Sequence, residues 1–272
     1  MGRIYKLDDP QAVAHLFAGW QETMIESCLQ GIMGEIYTSA AQPLSAMAML
    51  GDFSFLAGEP DAELAAFVPE GRNREFRIMV PRDSFRNPQG ETVNQTDTPG
   101  RTWENTIRQI YGEKVRKVTR YAIKKEPGVW DLNRLRAAVA ALTPEYELRL
   151  IDEELYYKCR EKEWSRDLVA QFSDYGQYRE WGLGAAILRG HEIVSGASSY
   201  SAYRGGIEIE IDTREDHRRK GLAYVCGARL ILECCARGLY PSWDAHNPWS
   251  VALAEKLGYH FDHAYDAYEI GG

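Results

Sequence analysis

The sequence predicts a mixed α/β fold of the α+β kind, with a largely antiparallel sheet flanked by helices in its C-terminal part and a further α/β module before it. Three observations carry this. Residues 182–213 contain three strand-like runs, GLGAAIL, EIVSGASSYSAY and IEIEIDT, joined by the short turns RGHE and RGG, and turns that short connect antiparallel neighbours. Beyond them a long apolar helical run, GLAYVCGARLILECCAR, leads to another strand, LYPSWDA, which is the pattern of a parallel crossover. The chain's 272 residues are 44% hydrophobic, enough for one large core or two modest ones.

The elements follow in order. DPQAVAHLFAGWQETMIESCLQG reads as a helical start, and GEIYTSA, SAMAMLGDFSFLAG and EFRIMVP as strands. PRDSFRNPQGETVNQTDTPGRTW, rich in Pro, Gly, Asn and Thr, reads as a long irregular connection. A helix over WENTIRQIYGE and a strand over VRKVTRYAIKK close the first part. Pro127 and Gly128 then break the chain, and Asp131 is placed to cap a helix over LNRLRAAVAALT, so the expected division is 1–127 and 128–272. The second part reads strand (YELRLID), helix (EELYYKCREKEW), the three strands above, the crossover, helix (SVALAEKLG) and strand (YHFDHAYDAYEI).

Composition excludes some functions. With 40 acidic against 32 basic residues the net charge is −8, whereas binding a phosphate backbone needs a basic face, so a nucleic-acid partner is not expected. The start MGRIYKLDDPQAVAHLF has no charged-then-apolar signal pattern and no apolar run spans a bilayer, so a cytoplasmic protein without membrane association is expected. The five cysteines, Cys28, Cys159, Cys226, Cys234 and Cys235, lack metal-ligand spacing and read as reduced core residues, with no metal site.

The chemistry concentrates after residue 206. Along IEIEIDT the period of two puts Ile207, Ile209 and Ile211 on one face and Glu208, Glu210 and Asp212 on the other. HRRKGLA follows. From Gly221 a helix places Ala223, Cys226, Gly227, Leu230, Ile231 and Cys234 in one apolar stripe, and Gly238 closes it. The first-turn amides of such a helix have no internal partner and carry the positive end of its dipole. With Arg218, Arg219 and Lys220 beside them, and with Gly221 and Ala223 small enough for close approach, they form an anion site; a solvated basic loop is the plainer alternative.

HRRKGLA resembles the pyrophosphate-loop signature of the GNAT superfamily of acyl-CoA N-acyltransferases, [QR]-x-x-G-x-[GA], with Arg218, Gly221 and Ala223 in the specified positions. Downstream, Asn247, Ser250, Glu255, Lys256, Gly258 and Tyr259 match that superfamily's closing segment, N-x-x-S/A followed by E-K-x-G-[FY]. IEIEIDT, HRRKGLA, GLYPSWDAHN and LAEKLGY, with GEIYTSA, SAMAMLGDFSFLAG and YAIKKE in the first part, are similar to a bacterial subfamily that includes zwittermicin A resistance acetyltransferases.

The resemblance implies acetyl-CoA as cofactor, held in a splay between the fourth and fifth strands of the C-terminal domain. The amides around Asp212 and Thr213 would meet the pantetheine arm, and those of Arg218, Arg219, Lys220, Gly221, Leu222 and Ala223 the pyrophosphate. Asn247, with Ser250 in the same motif, would lie beside the pantetheine or thioester end, although an Asn ahead of Pro248 is also ordinary turn chemistry. The implied reaction is direct acetyl transfer to a primary amine of a small molecule, an antibiotic or metabolite, in a chain whose assembly as a homodimer stays open. An alkylammonium with a pKa of about 10 cannot attack a thioester until a base removes a proton. Glu210 is the expected base and Glu208 the substrate-side carboxylate, with the reverse order open. Where many family members have a tyrosine just before E-K-x-G, this chain has Ala254, so His246, Tyr224, Tyr259, Tyr265 or solvent would supply the acid. Trp243, Trp249 and the aromatics of SDYGQYREW read as core or wall residues first. The first part, without a matching loop, is expected to be a degenerate GNAT-like or half-GNAT module. Two other functions stay open: a non-catalytic acyl-CoA-binding regulator and a protein N-acetyltransferase.

Overall fold

The structure is a computed structural model that describes residues 4–86, 91–94 and 102–271. The chain divides into two compact units, Met1–Thr119 with Tyr265–Gly272, and Arg120–Ala264. The division falls inside strands, eight residues before the break expected at Pro127 (127 − 119 = 8). The reason is pairing: the strand that ends the first part continues into residues that bond to strand partners of the second unit, and the C-terminal strand ends on a strand of the first.

The first unit comprises β1 (Tyr5–Lys6), a 3-10 helix (Pro10–Phe17), α1 (Thr23–Leu29), β2 (Glu35–Thr38), β3 (Ser45–Leu50), β4 (Phe53–Gly58), α2 (Ala62–Ala66), β5 (Arg77–Pro81), β6 (Ser84–Arg86), β7 (Thr92–Asn94), α3 (Trp103–Tyr111) and the start of β8 (Val115–Ile123). Its sheet runs β1-β2-β3-β4-β5, antiparallel except for the parallel β4–β5 pair. The core is Met47, Met49, Leu56, Leu64, Met79, Trp103 and Ile107, with the Trp103 indole donating to the Gly58 carbonyl at 3.0 Å. The stretch expected to be wholly irregular contains an antiparallel hairpin, β6–β7, in register Ser84↔Asn94 to Arg86↔Thr92. Strands of three residues are too short to show a period of two, so turn chemistry masked them. The rest of that stretch, 87–90 and 95–101, lies outside the described residues.

The second unit continues with α4 (Leu132–Ala140), β9 (Glu147–Leu150), α5 (Glu153–Arg160), α6 (Glu163–Arg166), α7 (Tyr175–Trp181), β10 (Gly184–Arg189), β11 (Glu192–Tyr203), β12 (Gly206–Thr213), α8 (Leu222–Ala236), β13 (Tyr240–Ser242), β14 (Asp244–Ala245), α9 (Pro248–Leu257) and β15 (Phe261–Ile270). Asp131 caps α4 as expected, its carboxylate accepting from the amides of Asn133 and Arg134 at 3.0 Å. EELYYKCREKEW forms two helices rather than one. The sheet order is β13-β12-β11-β10-β9, antiparallel from β9 to β12 and parallel between β12 and β13. β15 extends past the boundary to pair with β5, Tyr268 opposite Met79.

α8 packs its apolar stripe on the β12 isoleucines. Cys226, Leu230, Ile231 and Cys234 are fully buried, each large aliphatic side chain contributing about 1.5–3 kcal/mol. Gly227 is required by space: a Cβ there would stand 2.8 Å from Leu257 Cδ1 and 3.3 Å from Ile211 Cδ1. Among the described residues no helix is long and apolar enough to cross a membrane.

Candidate active site

β12 presents two chemically opposed faces. Ile207 and Ile209 are buried on the α8 side. On the other side Glu208, Glu210 and Asp212 lie opposite Ser201, Ser198 and Gly196 of β11. That face is roofed by the segment from α6 to α7: Leu168 presses on Gly196, and the Tyr178 hydroxyl bonds Ser198 Oγ at 2.8 Å. The carboxylates are therefore not solvated strand charges. Glu208 is 3% exposed.

Burial acts on the charges. The Glu210 carboxyl is raised to about 8, first by desolvation and then by the nearby carboxylates of Asp167 and Asp212, against the lowering influence of Arg120 and of the Ile211 amide. Asp212 is also raised, by burial, although it accepts from the Thr213 amide at 2.6 Å and Arg218 opposes the shift. Asp167, the C-cap of α6, is raised by burial in turn. Sequence reasoning missed Asp167 and Arg120. Neither lies in a motif, and only the fold brings them to β12.

The strand edge beside this face is open. β13 pairs with β12 only over Gly206↔Tyr240, Ile207↔Pro241 and Glu208↔Ser242. The chain then leaves: β14 pairs instead with β8, Asp244 opposite Ala122 and Ala245 opposite Tyr121. Residues 209–213 of β12 thus have β11 on one side and, among the described residues, no paired strand on the other. Asp244 is held by Arg120, whose Nε and Nη2 stand 2.7 and 2.6 Å from Oδ1, in a pair with both side chains under a tenth exposed. Arg120 Nη1 also faces His246 Nδ1 at 3.4 Å. A guanidinium only donates, so this contact suits the tautomer of a neutral ring in which Nδ1 accepts and Nε2 carries the proton.

At the end of β12 a one-turn 3-10 helix (Glu215–His217) leads into the basic loop. Arg214 ties it down through Glu192 and Asp216, at 2.8 and 2.7 Å. Arg218 Nε donates to the Thr213 carbonyl at 3.2 Å, so the motif arginine braces the loop against the strand. Arg219 (φ 61°) and Gly221 (φ 80°) both turn through the left-handed region, which aims the next amides outward. α8 starts at Gly221 with no side-chain cap, whereas α1, α2, α3, α4, α5, α7 and α9 all have one. Its first-turn amides, including those of Leu222 and Ala223, are therefore the donors offered beside exposed Arg218, Arg219 and Lys220.

Asn247 caps α9: its Oδ1 accepts from the Ser250 amide at 3.0 Å, which leaves its amide nitrogen as the group able to reach a ligand. His246 is exposed on the same turn. Ala254 is fully buried, so a longer side chain would not fit there unchanged. Tyr259 is a core residue whose hydroxyl donates to the Pro241 carbonyl at 2.7 Å, and burial raises it well above the usual phenol range. It is no proton donor for this cleft. Tyr224 lies under the Lys256 ammonium, 4.5 Å from its ring centroid, and Tyr265 belongs to the first unit. Trp243 and Tyr178 are core, as expected, but Trp249, in the first turn of α9, is 84% exposed.

The family model for GNAT acetyltransferase matches residues 14–268. The chain belongs to the GNAT acetyltransferase family. It is an acyltransferase, and the acetyltransferases of this family generally use acetyl-CoA. It is 29% identical over 208 residues, 64% of this chain and 76% of the relative, to the uncharacterized N-acetyltransferase YdfB of Bacillus subtilis strain 168. It is also 46% identical to a GCN5-related N-acetyltransferase-like protein from Streptococcus suis 89/1591, whose crystal structure superposes with a TM-score of 0.84 over 97% of this chain and 98% of that one. A tandem GNAT protein from the clavulanic acid biosynthesis pathway shares the fold at 11% identity, with a TM-score of 0.50 over 98% of this chain and 97% of its own. In this acetyltransferase, the carboxylates of the β12 face, the edge that no strand covers and the uncapped start of α8 follow one another along the chain.

Proposed function

We propose that the protein transfers an acetyl group from acetyl-CoA to a primary amine of a small molecule, with Glu210 as general base. The observation that carries this is a carboxyl raised to about 8 on the face of β12 next to the edge that β13 abandons. A base with a pKa near the working pH is the efficient one for deprotonating an ammonium. The donor set fits the cofactor: first-turn amides of α8, with Arg218, Arg219 and Lys220, for a pyrophosphate, and the β12 edge that no strand covers, at Asp212 and Thr213, for an amide-bearing arm, which would take over the Thr213 amide from Asp212 and its carbonyl from Arg218. When bound, acetyl-CoA supplies the activated acetyl thioester. Glu210 takes the ammonium proton, Glu208 and Asp167 hold the cationic amine, the Asn247 amide donates near the thioester, and His246 offers its Nε2 proton to the departing sulfur.

The resemblance to zwittermicin A resistance acetyltransferases makes antibiotics and metabolites bearing primary amines the first acceptors to try. The likeness to a tandem GNAT protein supports a degenerate GNAT-like role for the first unit, and five unpaired cysteines suit a reducing, cytoplasmic setting. Calorimetric titration with acetyl-CoA followed by a thiol-release screen over amines tests the reading. Binding with release of CoA on at least one amine is expected; no binding would sink it. Binding without turnover on any amine would favour an acyl-CoA-binding regulator, to which the alanine at position 254 would then point.

A further inference from the structure

The β12–β13 register shows why the strands part where they do. Gly206 pairs with Tyr240, Ile207 with Pro241 and Glu208 with Ser242, a constant offset of 34 (240 − 206 = 34). Continued by two residues, the same ladder would set Asp244 directly beside Glu210 on the acidic face (210 + 34 = 244), and by four it would bring His246 beside Asp212. An aspartate set there would be desolvated beside another carboxyl, a costly burial without a cation to pair it. Asp244 instead swings to the other side, where Arg120 receives it through two of its nitrogens in a pair nearly closed to solvent. The backbone follows, Asp244 and Ala245 taking Ala122 and Tyr121 of β8 as partners.

We infer that Arg120 and Asp244 are positioning residues that hold the cofactor cleft open: the cost of burying a second carboxyl beside Glu210 on one side and ion pairing to Arg120 on the other keep β14 from zipping onto β12. The same guanidinium serves three neighbours. It neutralises Asp244, it lies in charge range of Glu210, and its contact suits one tautomer of His246. The opening of the cleft and one of the influences on the base thereby meet in one side chain, 90 residues before Glu210 in the chain (210 − 120 = 90). This inference rests on the proposed role of Glu210 and of the open edge.

The test combines binding, exchange and pH. In Arg120→Met/Asp244→Leu the pair is replaced by apolar side chains of similar size, a change that buried ion pairs usually survive. By calorimetry its dissociation constant for acetyl-CoA should rise at least tenfold. By hydrogen exchange, the amides of residues 209–213 should be more protected than wild type without cofactor, because the edge has closed. Asp244→Asn, which keeps the shape and one hydrogen bond, is the variant to use if the double variant does not fold, and should weaken binding about threefold. The pH midpoint of turnover should move upward in the double variant, as Glu210 loses its neighbouring cation; a merely structural pair would leave it in place. Wild-type binding of acetyl-CoA with unchanged affinity, exchange and pH midpoint in these variants would overturn the inference alone. Failure of the wild type to bind acetyl-CoA would instead overturn the reading of the site.

Discussion

The half-buried carboxylates of the first unit and those around the β12 face of the second are shifted in opposite directions. In the first, Glu104 is held below the ordinary carboxylate range by hydrogen bonds from Tyr268, Arg108 and Lys117, and Glu35 is held there too, where Lys6 and Tyr37 outweigh partial burial. In the second, Glu210, Asp212 and Asp167 are all raised. The helix starts differ likewise: α1, α2 and α3 begin on side-chain caps, as do α4, α5, α7 and α9, while α8, with 15 residues, has none. Glu104 and Glu35 are held charged by their neighbours and add stability. The β12 face gathers carboxyls whose burial disfavours their charge, next to a helix start without a cap, and this contrast locates the site better than any one residue does.

The contrast breaks most sharply at Glu210. Glu210→Gln should lower kcat by about 10²–10⁴-fold in a thiol-release assay while leaving acetyl-CoA binding in place. The same variant should unfold at higher temperature than wild type at pH 8. A carboxyl raised in the fold retains its proton after the unfolded chain has lost it, so stability falls as pH climbs from the unfolded value of about 4.5 to about 8, and the amide escapes that loss, on the order of 1–2 kcal/mol. Next in size is the pH profile. With Glu210 as base, kcat/KM should rise about tenfold per unit below a midpoint near 8 and level off above it; a flat profile from pH 6 to 9 would remove Glu210 from the mechanism.

Gly221→Val tests the start of α8. Its left-handed φ of 80° strains any β-branched residue, so α8 should start differently, with acetyl-CoA affinity down about tenfold by calorimetry and stability down by about 1–2 kcal/mol. Smallest is the change in the first unit. Glu104→Gln should cost under about 1 kcal/mol in chemical denaturation at pH 7, with turnover unchanged, because its partners are partly exposed. Since Glu104 is lowered in the fold, that difference is present above the unfolded pKa of about 4.5 and vanishes as pH falls through the folded value.

Local signals were legible in the sequence and non-local ones were not. The alternation of IEIEIDT, the glycine before an apolar run and Asp131 before a helical pattern each act within a few residues, so β12, α8 and α4 follow from the chain itself. Arg120 escaped because its meaning lies in Asp244, 124 positions away, and in a strand exchange that no periodicity announces. Asp167 sits on an irregular segment whose path is set by Leu168 and Tyr178 packing over β11. The compact units part at Thr119 rather than at Pro127 for a related reason: residues 121 and 122 of β8 pair with β14, a contact that the break at Pro127 and Gly128 does not announce. Trp249 reads as core or wall because it is large and apolar, and nothing in its neighbouring residues announces that it lies exposed in the first turn of α9.

That exposed indole gives the protein an optical handle. Of seven tryptophans, Trp249 alone is largely exposed to solvent, and it stands two positions from Asn247 (249 − 247 = 2). A collisional quencher such as acrylamide would read mainly this one fluorophore, so the emission of the unlabelled enzyme reports on the first turn of α9, and occupancy of the neighbouring cleft becomes a spectroscopic quantity measurable without any acceptor in hand.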